Sequence, residues 1–176
     1  LLNTVDQVLT ASRTHERRES LKNITRIELN ELLRESISLI KSRYNLSDNE
    51  INFVDPEAKF EVSGDRTELL SAFTNLLDNA VKYSPKESTI TLATGVQNDM
   101  IEFSIAAEGS GIAADERTRI FEKFYRTGSE ATRMAKGTGL GLYLVQRIAN
   151  AHKGKVTVTN NSPQGTIFTL SFKHAS

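Results

Sequence analysis

Apolar residues recur along this chain in two rhythms, three or four apart and at alternate positions, and each rhythm predicts a different element. Leu1, Leu2, Val5, Val8 and Leu9 fall at helical spacing with Asn3, Asp6 and Gln7 between them, an amphipathic helix that needs a partner. That partner is either the domain's own core or half of an intermolecular bundle. The charged run Arg13 to Arg18 follows, then a short strand at Ile24 to Ile27. Leu29, Leu32, Leu33, Ile37, Leu39 and Ile40 predict a second helix running to about Tyr44. Extended segments are expected at Ile51 to Asp55 and Lys59 to Val62 on either side of Pro56, with Gly64-Asp65 stopping the second. Asp65 can cap a long helix from Thr67 to Tyr83, with Glu68 three residues on as in a capping box, and Ser84-Pro85 ends it.

β-branched and apolar residues at Thr89 to Thr94 and Met100 to Ala106, around a turn at Gly95 to Asp99, predict a hairpin. A short helix is expected from Asp115 to Phe124. Arg126 to Lys136 has little apolar periodicity and reads as a loop. Gly137 to Gly141 opens a helix through Leu142, Leu144, Val145 and Ile148 that ends near Lys153-Gly154, and Val156 to Val158 with Thr166 to Phe172 form a closing hairpin. Strands and helices in this order imply an α+β fold, a two-layer sandwich whose mixed, mostly antiparallel sheet carries helices on one face.

Composition narrows the function classes. A length of 176 residues suits one domain and a short appendage, because domains commonly hold roughly 100 to 150 residues. No apolar run approaches the roughly 20 residues that span a bilayer. Lys+Arg 22 against Asp+Glu 22 gives a net charge of +0, which argues against a nucleic-acid partner and makes any anion site local. With Cys 0, disulfides, thiolate zinc sites and cysteine nucleophiles are excluded. The opening Leu1-Leu2, with no Met before it, suggests a piece of something longer.

Candidate chemistry lies on the long helix and in two glycine clusters. Asn75 and Asn79 stand four apart and Lys82 three further on, so one helix face holds two carboxamides and an ammonium. Taken alone, that face would equally suit two surface asparagines and a solvated lysine. Gly109-Ser110-Gly111-Ile112 follows a strand, and Gly137-Thr138-Gly139-Leu140-Gly141 precedes a helix. Glycines let backbone amides approach phosphate oxygens, and a helix N-terminus adds partial positive charge. Neither cluster ends in the Gly-Lys-Ser/Thr of a P-loop, and the later one does not follow a strand as a dinucleotide fingerprint would.

Together, in this order, these segments resemble the catalytic domain of bacterial sensor histidine kinases, in the nucleotide-binding superfamily shared with gyrase, Hsp90 and MutL. Asn75 to Tyr83 resembles the family's N box, Gly109 to Ile112 its first glycine box, Ile120 to Arg126 its F box, Gly137 to Leu142 its second glycine box and Gly165-Thr166 its terminal strand. The resemblance implies the Bergerat ATP-binding fold over residues 21–176, with residues 1–20 as the end of a dimerisation and phosphotransfer helix and a linker. It implies ATP and Mg²⁺ as ligands, Asn79 coordinating the metal with Asn75 beside it, Lys82 neutralising phosphate charge and Tyr83 packing near the nucleotide. Gly109, Gly111 and Ile112 would line the adenine pocket together with Ala107 and Thr166. Gly137, Gly139, Leu140, Gly141 and Leu142 would present amides to the phosphates, and Arg126 with the loop to Lys136 would form a lid. Asn75, Lys82 and Arg126 would carry catalysis. The implied partners are a histidine on an acceptor helix of the same or a partner chain and a response-regulator receiver domain. The full-length protein is expected to be a homodimer anchored in the inner membrane, with this domain in the cytoplasm.

Two departures bear on activity. The first glycine box of the family begins with an Asp that accepts a hydrogen bond from the adenine amino group, and Ala107 stands in that position. Losing a buried charge-assisted hydrogen bond costs about 1.5 to 3 kcal/mol, roughly tenfold to a hundredfold in affinity. Adjacent strand residues face opposite ways, so Glu108 is expected to be a poor substitute. Thr14-His15-Glu16-Arg17-Arg18 looks like an acceptor box, but His15 follows the only preceding helix, where the family's acceptor lies on the first of two; it reads as a linker residue. An impaired histidine kinase is the leading expectation and a catalytically dead signalling module the alternative. An ATP-driven clamp is disfavoured because Asn75 stands where hydrolysing relatives carry a Glu base.

Overall fold

The computed structural model describes residues 23–127 and 137–175. The expected N-terminal helix, His15, the 20/21 domain boundary and most of the Arg126–Lys136 loop lie outside the described residues.

Among the described residues seven strands and three α-helices follow one another: β1 (Ile24–Glu28), α1 (Leu29–Tyr44), β2 (Ile51–Phe53), β3 (Glu61–Asp65), α2 (Arg66–Tyr83), β4 (Ile90–Gln97), β5 (Met100–Ala107), α3 (Gly141–Ala151), β6 (Lys155–Asn160) and β7 (Thr166–Lys173), with a 3-10 turn at Arg119–Phe121. Five strands form one sheet in the order β2-β4-β5-β7-β6, antiparallel except for the β2–β4 pair. β1 and β3 make a separate antiparallel ribbon. The expected α+β sandwich with a mostly antiparallel sheet is the observed architecture.

Alternation along the central strands decides which sheet face is covered. On β5, Ile101, Phe103 and Ile105 are buried, and the register sets them opposite Phe172, Leu170 and Phe168 of β7, also buried. Across that face lies α2, whose Leu69, Ala72, Phe73, Leu76, Leu77 and Ala80 are buried at helical spacing. The Phe73 ring meets Phe103 edge to face at 4.9 Å. α1 and α3 flank α2 in the same layer.

The caps fix where the helices start and stop. Asp65 accepts from the Thr67 and Glu68 amides, as expected for the α2 N-cap. Glu28 caps α1 in the same way through the Asn30 and Glu31 amides. α3 closes in a Schellman arrangement: Gly154 N donates to Ala149 O and Lys153 N to Asn150 O, with Lys153 in the left-handed region at φ 55°.

Three expected boundaries are corrected. Gly64-Asp65 does not stop β3 but belongs to it, because Thr25 and Ile24 of β1 pair with those two residues. β4 runs past Gly95 to Gln97, and the hairpin turns on Asn98 and Asp99, both at positive φ as a type I′ turn requires. The helix expected at 115–124 is reduced to turns and the three-residue 3-10 segment, and Phe124 at φ 65° prevents it from continuing.

Candidate active site

The C-terminal half of α2 forms one wall of a cleft. Packing rotates Leu76, Leu77 and Ala80 into the core and turns Asn75, Asn79 and Lys82 toward the cleft. Asn75 Nδ2 donates to Ser71 O at 2.8 Å, one turn back, which fixes its carboxamide. Lys82 is held by Asp78, one turn earlier, through an Nζ–Oδ2 contact of 2.5 Å. Tyr83 follows at the helix end, 55% exposed at the rim.

The adjoining wall is the start of α3 and the loop before it, where a Cβ on Gly141 would lie 3.1 Å from Asn75 Oδ1. Among the described residues no side chain caps this helix at Leu140, and its first intrahelical bond is donated by Leu144 N to Leu140 O. The Gly141, Leu142 and Tyr143 amides therefore have no intrahelical acceptor, and they begin where Gly137, Thr138, Gly139, Gly141 and Leu142 line the cleft. Gly139 sits at φ 70°, and a Cβ there would lie 2.7 Å from the Phe124 carbonyl carbon. That contact is part of a latch in which Phe124 N donates to Gly139 O at 2.9 Å, tying the F-box segment to the loop. Phe121 anchors the same segment edge to face on Phe168. Tyr125 OH donates to Glu116 at 3.0 Å, with Arg119 over its ring.

The floor is the end of β5 against the start of β7. Ala107 lies opposite Thr166 in the register, and both line the cleft with Ile105 and Phe168. Gly165 folds back on Ala107 at φ 117°, so closely that any Cβ would collide with the Ala107 carbonyl oxygen. Asn161 Nδ2 donates to that same oxygen at 3.4 Å. Glu108, exposed, also borders the cleft because β5 has ended and strand alternation no longer governs it.

One cleft thus brings together Asn75, Asn79, Lys82, Tyr83, Ala107, Gly109, Gly111, Ile112, Arg126, Gly137, Gly139, Gly141, Leu142 and Thr166. Leu140 stands apart, its side chain buried against Leu144. Asp78, a residue to which the sequence reading gives no role, also lines the cleft; it is buried, and accepts from Tyr44 OH at 2.5 Å and Arg43 at 3.3 Å. Burial first, and then the bond to Asp78, pushes the Tyr44 hydroxyl pKa well above its ordinary value. The Asp78–Lys82 spacing was the available signal for this cluster; Tyr44 and Arg43, far away in sequence, left none.

A mostly antiparallel sheet with described helices on one face and a glycine-bordered cleft at its edge defines an α+β sandwich with a candidate anion-binding site. The chain belongs to the histidine kinase-, DNA gyrase B- and HSP90-like ATPase family, whose match covers residues 64–176. It is similar to the sensor-like histidine kinase SenX3 of Mycobacterium tuberculosis, 33% identical over 153 residues, 87% of this chain and 37% of that protein. It is also similar to the sensor histidine kinase CusS of Escherichia coli, 36% identical over 121 residues, 69% of this chain and 25% of that one. The chain therefore spans well under half the length of these relatives. Among solved structures, full-length ShkA in complex with AMPPNP superposes with a TM-score of 0.81 at 28% identity, over 99% of this chain and 36% of that one. The mycobacterial sensor histidine kinase MprB gives 0.73 at 26%, over 86% of this chain and 98% of that one. Among the described residues no helix is long and apolar enough to cross a membrane.

Proposed function

We propose that the cleft binds Mg·ATP and positions its γ-phosphate for transfer to a histidine, other than His15, on an acceptor helix of the same or a partner chain. The observation that carries this reading is the convergence of two unlike groups on one cleft: amides at the start of α3, where no described side chain caps the helix, and carboxamides with an ammonium on α2, Gly141 standing beside Asn75. A helix start without a cap suits anionic oxygens, and phosphoryl transfer relies chiefly on positioning and charge neutralisation. Gly141 and Leu142 would donate to phosphate oxygens, and Lys82 would offset their charge. Arg126 would act from the lid.

The donor set fits a hard cation. Among the described residues no cluster of three or more His, Cys, Asp or Glu is placed to hold a metal. Asn79 would instead hold a Mg²⁺ ion through its carboxamide oxygen, and the ion would supply charge neutralisation. Asn75 would orient the phosphates. Its carboxamide cannot take a proton from water, so transfer to a protein side chain is favoured over hydrolysis. The product would be passed to a response-regulator receiver domain. By the same reading, the whole protein is a homodimer anchored in the inner membrane, with this domain on the cytoplasmic side.

Ala107 weakens this site, because a methyl group accepts no hydrogen bond from the adenine amino group. The same residue supports a second reading, a dead kinase that serves as a signalling module. Calorimetric titration of Mg·ATP into this chain and into Ala107→Asp distinguishes the two. A gain of about tenfold to a hundredfold in the Asp form is expected of a kinase site weakened at one residue. Equal binding in both would assign the adenine to another acceptor, with Glu108 the nearest candidate. No binding in either would overturn the nucleotide reading and favour the module.

A further inference from the structure

Asp78 has a role that the motif-based reading does not give it. Its carboxylate is buried, with 8% of the side chain exposed, yet it borders the cleft. One oxygen, Oδ1, accepts from Tyr44 OH at 2.5 Å and Arg43 at 3.3 Å, both at the end of α1. The other, Oδ2, meets Lys82 Nζ at 2.5 Å. The carboxylate is thus fixed from behind by one helix and holds the cleft lysine in front. A free lysine side chain samples many rotamers, and holding it in one removes an entropy loss that a ligand would otherwise impose. An ammonium has three donors, so Lys82 can keep Asp78 and still donate to a ligand oxygen.

We infer that Asp78, braced by Tyr44 and Arg43, is a positioning residue that holds Lys82 ready for the phosphates. The inference rests on the nucleotide reading proposed above. It makes the end of α1, remote from the cleft in sequence, part of the phosphate machinery. It also sets a direction: neutralising Asp78 weakens phosphate binding even though it removes a negative charge from the cleft wall.

The test is an NMR titration of the intact chain with Mg·ATP and with adenosine, for the unsubstituted protein, Asp78→Asn, Tyr44→Phe and Lys82→Met, while the Lys82 ε-methylene signal is followed without ligand. Asn preserves an acceptor for Tyr44 and the shape of the site. Mg·ATP affinity is expected to fall about tenfold in Asp78→Asn and about threefold in Tyr44→Phe, within the range that freeing a lysine allows. Adenosine binding should be unchanged, and the Lys82 signal should move toward its free-chain position in Asp78→Asn. Adding Asp78→Asn to Lys82→Met should have no further effect. Tighter Mg·ATP binding in Asp78→Asn, an equal loss for adenosine, or an unmoved Lys82 signal would each overturn the inference while leaving the nucleotide reading intact. Absence of Mg·ATP binding in both the unsubstituted chain and Ala107→Asp would overturn that reading itself, and with it the assignment of Lys82 to phosphate; the lysine signal alone would then show only whether the ion pair orders the side chain.

Discussion

Helix α2 has a buried polar node near each end, and the two are built from different partners. At its start, His152, the C-cap of α3, is buried with its ring edge to face on Phe172. Its Nδ1–H donates to Ile148 O at 2.8 Å, and its Nε2 accepts from the Asp65 amide at 3.0 Å, which fixes the neutral Nδ1–H tautomer. Both partners are backbone groups of the core. At the other end, Asp78 is held by three side chains, Tyr44, Arg43 and Lys82, and it borders the cleft. A buried group satisfied by backbone has its geometry set by the fold and serves to join elements. A group satisfied by side chains beside a cleft can hold one of them in place for a ligand.

Truncating His152 should have the largest effect on stability and almost none on binding. His152→Ala leaves the Asp65 amide without its acceptor and opens a void against Phe172. Together these are expected to cost about 3 kcal/mol in urea unfolding. Nucleotide affinity of the folded protein should stay within about 0.5 kcal/mol of the unsubstituted chain, the range expected for distant, independent sites. A large affinity loss with unchanged stability would make His152 a functional group and erase the contrast.

Asp78→Asn should show the reverse proportions. Its charge partners are partly exposed, with 42% of the Arg43 and 25% of the Lys82 side chain accessible, so solvent screens much of the attraction. A stability loss of about 1 kcal/mol is expected by urea unfolding, beside the larger proportional loss in Mg·ATP affinity described above. Alkaline unfolding sharpens this node further. The Tyr44 hydroxyl pKa is raised in the folded state, so its contribution is fully present below the unfolded value of about 10 and is lost as pH rises through the folded value. The stability difference between the unsubstituted protein and Tyr44→Phe should therefore hold through neutral pH and shrink above about pH 10. A difference independent of pH across that window would mean that burial and the bond to Asp78 do not hold Tyr44 protonated.

The two nodes also differ in how well the sequence shows them. The α2 cap at Asp65 is legible because a local side chain meets amides two and three residues on. The face of Asn75, Asn79 and Lys82 is legible because helical spacing alone puts those residues together. Two widely separated glycine clusters, Gly109 to Gly111 and Gly137 to Gly141, line the same cleft, and the family resemblance carries their order along the chain. His152 offers no signal, since its partners are backbone groups that any sequence possesses. Tyr44 and Asp78 are 34 positions apart, so only the packing of α1 on α2 joins them. The hairpin turn is hidden for a local reason: Gly95 is the more conspicuous turn residue, but cross-strand pairing of Val96 with Ile101 and Gln97 with Met100 carries β4 past it to Asn98-Asp99.

The smallest expected effect is the coupling between the nodes. Asp65 and Asp78 are thirteen residues apart along one helix, about 20 Å at the helical rise, and the two nodes share no partner. If the His152 node only joins α3 to the start of α2, the double variant His152→Ala/Asp78→Asn should unfold with a loss equal to the sum of the single losses, within about 0.5 kcal/mol. Its Mg·ATP affinity should equal that of Asp78→Asn alone. A coupling well beyond that range would mean that α2 transmits strain as a rigid rod between the helix junction and the lysine clamp. The helix junction would then belong to the regulation of the cleft, and the distinction between architectural and functional polar burial would fail in this domain.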